Sequence, residues 1–126
     1  MSFFGQGKVW LSTNTGGTWA ETKPTGGSAK LWGSFSASSD GSVLLAGVDG
    51  GRLYLSTNTG GVWTENQPAG DTDQYWVNLT MSSDGSTQIA TANNIASHTS
   101  LNTGGSWTQA ISPFNYVNYW SSIASD

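Results

Sequence analysis

Cysteine is absent from the chain, histidine occurs once, and only four of 126 residues are cationic. Without cysteine there is neither a disulfide framework nor a thiolate metal site. With His98 alone a histidine-rich metal site is out of reach, so no metal and no cofactor is expected. Lys8, Lys23, Lys30 and Arg52 are scattered and outnumbered by eight acids, for a net charge of −4. That balance provides neither a basic patch for nucleic acid nor a basic amphipathic helix for an anionic membrane. Long apolar runs are missing too. The richest, VLLAGV at Val43–Val48, is far too short to span a bilayer, and no charged leader with an apolar core opens the chain. A soluble protein is the expectation, with its compartment left open.

What is present is glycine, serine, threonine and asparagine, with 12% aromatic residues that include seven tryptophans. This is too aromatic for disorder and suits short strands joined by tight turns. The segment LSTNTGG stands at 11–17 and again at 55–61, each time leading into a tryptophan, and SLNTGGSW at 100–107 is a looser third copy. Asn14, Asn58 and Asn102 are spaced by 44 residues, as are Trp32, Trp76 and Trp120, and Asp40 and Asp84. A fixed period of this size marks an array of small units, none able to bury a core alone, so stability must come from stacking.

Laid on that period, the middle copy predicts four strands. They are Trp32–Ser38, a continuously apolar Val43–Val48 buried on both faces, an alternating Arg52–Thr57, and an outermost Val62–Asn66, with Asp49–Gly51 as a hairpin turn. The third copy repeats this at 76–82, 87–93, 95–100 and 107–110. Helical periodicity appears nowhere. Four short antiparallel strands per repeat predict an all-β fold, a β-propeller with three blades per chain: 2–24, 32–68 and 76–113. Residues 120–126 align with 76–82, and the opening residues align with the middle of a second strand. Three periods make 132 positions, six more than are present, and those six fall in one hairpin turn. Hence the expectation of a homo-oligomer, foremost a six-bladed dimer, in which Trp120–Asp126 of one copy completes the first blade of the other.

Physically, S-T-N-T-G-G-x-W is a turn with a tether: asparagine accepts backbone N–H bonds, glycine relieves the backbone, and tryptophan packs beneath. The sequence here resembles the Asp-box, or BNR, repeat of sialidase-like β-propellers, Ser/Thr-x-Asp-x-Gly-x-Thr-Trp. Ser12, Asn14, Gly16 and Trp19 match with Asn for Asp, as do Ser56, Asn58, Gly60 and Trp63, and Ser100, Asn102, Gly104 and Trp107. Val62 departs from the Thr position, and Ser106 occupies it in the third copy. The resemblance implies a six-bladed ring with these turns between third and fourth strands, on the face away from any active site. All twelve residues are therefore read as structural.

Sialidases, as a family, hold their substrate with three arginines and use a tyrosine paired with a glutamate, whereas this chain has only Arg52. Glu21, Glu65, Asp40 and Asp84 fall at equivalent surface or turn positions and read as structural, and His98 reads as packing between blades. Asn78-Leu79-Thr80 spells a glycosylation sequon but lies within a predicted strand. No catalytic residues are assigned. The connections TKPTGGSAKL, NQPAGDTDQY and AISPFNYVNY diverge in content, as do the second-to-third turns GQGK, DGGR and NNIA. Variable loops on a repeated scaffold are where binding resides. Lys30, Asp49, Arg52, Asp71, Asp73, Gln74, Asn115, Tyr116 and Asn118 are the candidate ligand residues. The expectation is a non-enzymatic, self-assembling module binding a glycan or a protein. The alternatives are a glycoside hydrolase of sialidase-like ancestry and a propeller piece whose only activity is assembly.

Overall fold

The computed structural model describes residues 7–93 and 96–111. These residues form ten strands: β1 (Val9–Leu11), β2 (Ala20–Thr22), β3 (Trp32–Ala37), β4 (Leu44–Gly51), β5 (Leu53–Ser56), β6 (Thr64–Asn66), β7 (Gln74–Met81), β8 (Gln88–Ala92), β9 (Ala96–Ser100) and β10 (Thr108–Ile111). The fold is all-β and propeller-like. Among the described residues no helix is long and apolar enough to cross a membrane. Asn115, Tyr116, Asn118 and Trp120–Asp126 lie outside the described residues, as does Ile95.

Each repeat is an antiparallel meander. The pairs β3–β4, β4–β5 and β5–β6 build the second repeat, and β7–β8, β8–β9 and β9–β10 the third. The first repeat is represented by β1–β2, with Trp10 opposite Glu21 as Tyr54 is opposite Glu65. β3 alternates between exposed and half-buried positions, as its WGSFSA sequence requires of a strand with two unlike faces. Residues 43–48 are buried throughout, because β4 is flanked by β3 and β5 in its sheet and covered on both faces.

One sequence expectation is corrected. Asp49–Gly51 is more than a free hairpin turn: it extends β4 and pairs with β7, Asp49 opposite Tyr75 and Gly51 opposite Gln74. Gly50 takes φ 69° to allow this. The bridge between Gly7 and Lys30 is the same contact one period earlier.

Successive repeats are joined by side chains at the same spacing. Trp32 Nε1 donates to the Gly7 carbonyl at 3.1 Å, and Trp76 Nε1 to the Gly51 carbonyl at 3.0 Å. Trp63 Nε1 donates to Thr22 Oγ1 at 2.6 Å, and Trp107 Nε1 to Asn66 Oδ1 at 2.5 Å. In return, Thr22 Oγ1 donates to the Gly60 carbonyl and Asn66 Nδ2 to the Gly104 carbonyl. The core lies between the second and third repeats, where Val43, Leu45 and Leu53 meet Trp76, Leu79, Met81, Ala90 and Ala92. A unit of roughly 44 residues thus gains its apolar burial from its neighbour.

Candidate functional site

The turns divide between two faces. On one face the Thr59 N–H donates to the Ser42 carbonyl and Thr103 N–H to the Ser86 carbonyl, which joins each LSTNTGG-type turn to the SSDGS turn of its own repeat. On the other, Arg52 at the β4–β5 hairpin meets the connection that leads into β7.

The first face is internally satisfied. Asn14 Oδ1 accepts the Thr18 N–H at 2.8 Å and the Ser12 hydroxyl at 3.0 Å, while Gly16 N–H donates to Ser12 Oγ. Asn58 with Ser56 and Gly60, and Asn102 with Ser100 and Gly104, repeat the arrangement. Each asparagine closes its own turn. The glycines do not relieve all of the backbone: Thr15, Thr59 and Thr103 have φ of 58°, 57° and 55°, in the left-handed region that β-branched residues avoid. Trp19, Trp63 and Trp107 follow these turns, the last two reaching the preceding repeat as described. Asp40 and Asp84 each accept from a serine two residues before and from the backbone and hydroxyl of a serine two residues after. For Asp40 the Ser42 N–H, and for Asp84 the Ser82 hydroxyl, is the main cause that lowers the carboxyl pKa to about 2.

The second face carries a cleft of about 270 Å³. Lys30 and Leu31 border it from the first connection, Asp49 and Arg52 from the hairpin, Tyr54 from β5 and Asp73 from the second connection. Arg52 is its pivot. Its Nε donates to Asp73 Oδ1 at 2.6 Å, while Nη1 lies 2.8 Å from Asp71 and 3.6 Å from Glu65. Nη1 is shielded from solvent and held between these two acids. Bonds to Asp73 first, and Asp71 second, hold the guanidinium above its ordinary pKa. Tyr54 is pushed up by burial and then by the Glu65 charge, and its ring stands edge-on to Trp32 at 5.9 Å.

Of the candidate ligand residues, the structure brings together Lys30, Asp49, Arg52, Asp71 and Asp73. Gln74 is at the rim: its backbone pairs with Gly51 and its amide donates to Thr72. Asn115, Tyr116 and Asn118 cannot be placed, since they lie outside the described residues. Tyr54 and Tyr75 were not read from the sequence as site residues. Tyr75 is 61% exposed and its ring edge lies over Gly50, 3.3 Å from where a Cβ would stand there. Tyr75 touches the cleft only through Gly50, and by register it stands where Leu31 does one repeat earlier. Glu65 and Glu21 are not simply solvated surface: Glu65 joins Arg52, and Glu21 pairs with Lys8 at 3.2 Å. His98 is buried and meets Trp76 of its own repeat edge-on at 5.7 Å, not a residue of the neighbouring repeat. Among the described residues no group of His, Asp and Glu is arranged to hold a metal.

No family model matches the chain, and no curated protein does. Among solved structures it is similar to the GH74 enzyme of Niastella koreensis, a β-propeller glycoside hydrolase, with a TM-score of 0.50 and 25% identity. The likeness covers 62% of this chain and 11% of that one, so the chain spans about a tenth of the enzyme's length. What the two share is a propeller-like arrangement of antiparallel strands, within which the cleft around Arg52 is set at the junction of successive repeats.

Proposed function

We propose that the repeats are propeller blades and that the chain is a non-enzymatic binding module, its loop-face cleft taking a neutral carbohydrate. The observation that carries this reading is the grouping of Arg52, Asp73, Asp49 and Lys30 around Tyr54, with the exposed Tyr75 at its edge over Gly50. Sugars present hydroxyls that both donate and accept, and C–H faces that lie on aromatic rings. A few polar groups fixed in orientation beside flat apolar surface match that chemistry. An anionic sugar is disfavoured, because Asp71, Asp73 and Glu65 already surround the single guanidinium.

Hydrolysis is the second reading, favoured by the likeness to a glycoside hydrolase. It requires two carboxyl groups facing one another across a glycosidic bond. Asp71 and Asp73 are instead committed to the same guanidinium. The test is a panel of neutral oligosaccharides followed by calorimetry on the best binder. Tyr75→Ala and Asp73→Asn are each expected to weaken binding at least several-fold. A panel without any binder removes the proposal, and turnover of a chromogenic glycoside that is lost in Asp73→Asn replaces it with hydrolysis.

A further inference from the structure

Exposed large apolar side chains gather on one flank of the molecule, and equivalent positions elsewhere show what is missing there. Trp10 is 55% exposed. Its equivalents Tyr54 and His98 each stand edge-on to the tryptophan that opens their own repeat, Trp32 at 5.9 Å and Trp76 at 5.7 Å. Phe35 is 52% exposed, whereas its equivalent Leu79 is 9% exposed and part of the core. Trp19 is 61% exposed, whereas Trp63 and Trp107 each reach an acceptor on the preceding repeat. Between Trp10 and Phe35 runs a groove of about 330 Å³, mostly apolar, lined also by Val9, Leu11, Ala37 and Leu44. In the second and third repeats the comparable place belongs to β4 with β3 and to β8 with β7; by the 44-residue register the first repeat's counterpart of β4 is residues 1–7 of the same chain, and 120–126 match β3.

We infer that this groove receives residues 120–126 of a second copy of the chain, as the inner strand of the first repeat. WSSIASD repeats the pattern of WGSFSAS at 32–38 and WVNLTMS at 76–82: a tryptophan, then an apolar residue three positions on. In this register Trp120 faces Trp10 as Trp32 faces Tyr54 and Trp76 faces His98. The added strand covers the flank that a soluble protein does not leave bare, and its pairing removes an edge prone to aggregation. A second copy is the source because of reach. Trp19 to Trp32 and Trp63 to Trp76 are both steps of thirteen residues that carry the chain onto the next repeat, and Trp107 to Trp120 is the same step. By that spacing 120–126 belong beyond the third repeat rather than beside the groove on the first. Two copies related by a two-fold axis exchange the strand reciprocally, which makes the contact isologous and closed. This holds whatever the loop face binds.

Sedimentation equilibrium of the intact chain is expected to give twice the chain mass of 13.2 kDa. Trp10→Asp and Trp120→Asp chains are each expected to sediment as monomers with β-type circular dichroism retained. Mixed in equal amounts, they are expected to recover a dimer, because one of its two junctions pairs an intact groove with an intact strand. Phe35→Asp probes the same groove if Trp10→Asp does not fold, and Leu101→Asp, at an exposed site in a turn of the first face, is expected to remain dimeric. A wild-type monomer, a Trp120→Asp chain that still dimerises, or a mixture that stays monomeric would overturn the assignment.

Discussion

Thr15, Thr59 and Thr103 hold the left-handed backbone that asparagine or glycine adopts more readily. At Thr59 the N–H is used by Ser42, so the conformation is fixed by the turn rather than chosen by the residue. Thr59→Asn keeps that N–H and tolerates the φ. It is expected to stabilise the fold by several tenths of a kcal/mol to about 1 kcal/mol, read as a raised thermal midpoint. The acids of the SSDGS turns set an acid limit. Asp40 and Asp84 ionise near pH 2 in the folded chain against an ordinary 3.8, so the unfolded chain binds more protons in between. Their contribution is complete above about pH 4 and lost as pH falls toward 2, and Asp84→Asn should remove part of that slope in urea titrations. His98 acts in the same direction at higher pH. Burial lowers its pKa below 6.5, so protonation favours the unfolded chain and stability should decline as pH falls below about 6.5. His98→Tyr, the residue found one period earlier at Tyr54, is expected to flatten the profile between pH 5 and 7.

At the scale of elements, most strands were legible because each is bounded by a turn whose residues announce it: SSDGS before β4 and β8, NTGG before β6 and β10. Expected and observed boundaries differ by a residue or two, except at Asp49–Gly51. Local pattern reports only the turn there, while the pairing with Tyr75 and Gln74 arises from stacking of one repeat on the next. The site followed the same division. Variable loops pointed to Lys30, Arg52, Asp71 and Asp73, but the convergence of Asp71 and Asp73 with Glu65 of β6 on Arg52 depends on how far the 67–73 connection folds back, which composition does not encode. Tyr54 and Tyr75 were missed because each sits in an ordinary strand position and becomes a site residue only through its neighbours. Close packing between elements is testable at Gly47, where a Cβ would stand 2.6 Å from Ser34 Oγ and 3.1 Å from Trp76 Cβ. Gly47→Ala is expected to cost about 1–3 kcal/mol by urea denaturation.

For the molecule as a whole, the buried apolar cluster among the described residues lies at the junction between the second and third repeats. Leu53 is fully buried there, in a cluster that draws Leu45 from one meander and Leu79 and Met81 from the other. Leu53→Ala is expected to cost about 2–5 kcal/mol, and to loosen both meanders together when followed by hydrogen exchange, since neither carries a separate core.

The indole bonds from Trp63 to Thr22 and from Trp107 to Asn66 work as a coupling with a male end on one unit and a female end on the unit before it. Neither end depends on which unit it meets: threonine and asparagine serve alike as the acceptor. A chain in which residues 32–75 are written twice in tandem therefore needs no new kind of joint. The inserted Trp63 would find Asn66 of the unit before it, and the molecule would grow by one whole unit with its face of turns and its face of loops still in line. Insertions within a strand would break the coupling, so among changes to the strands themselves, steps of 44 are the ones that preserve every joint.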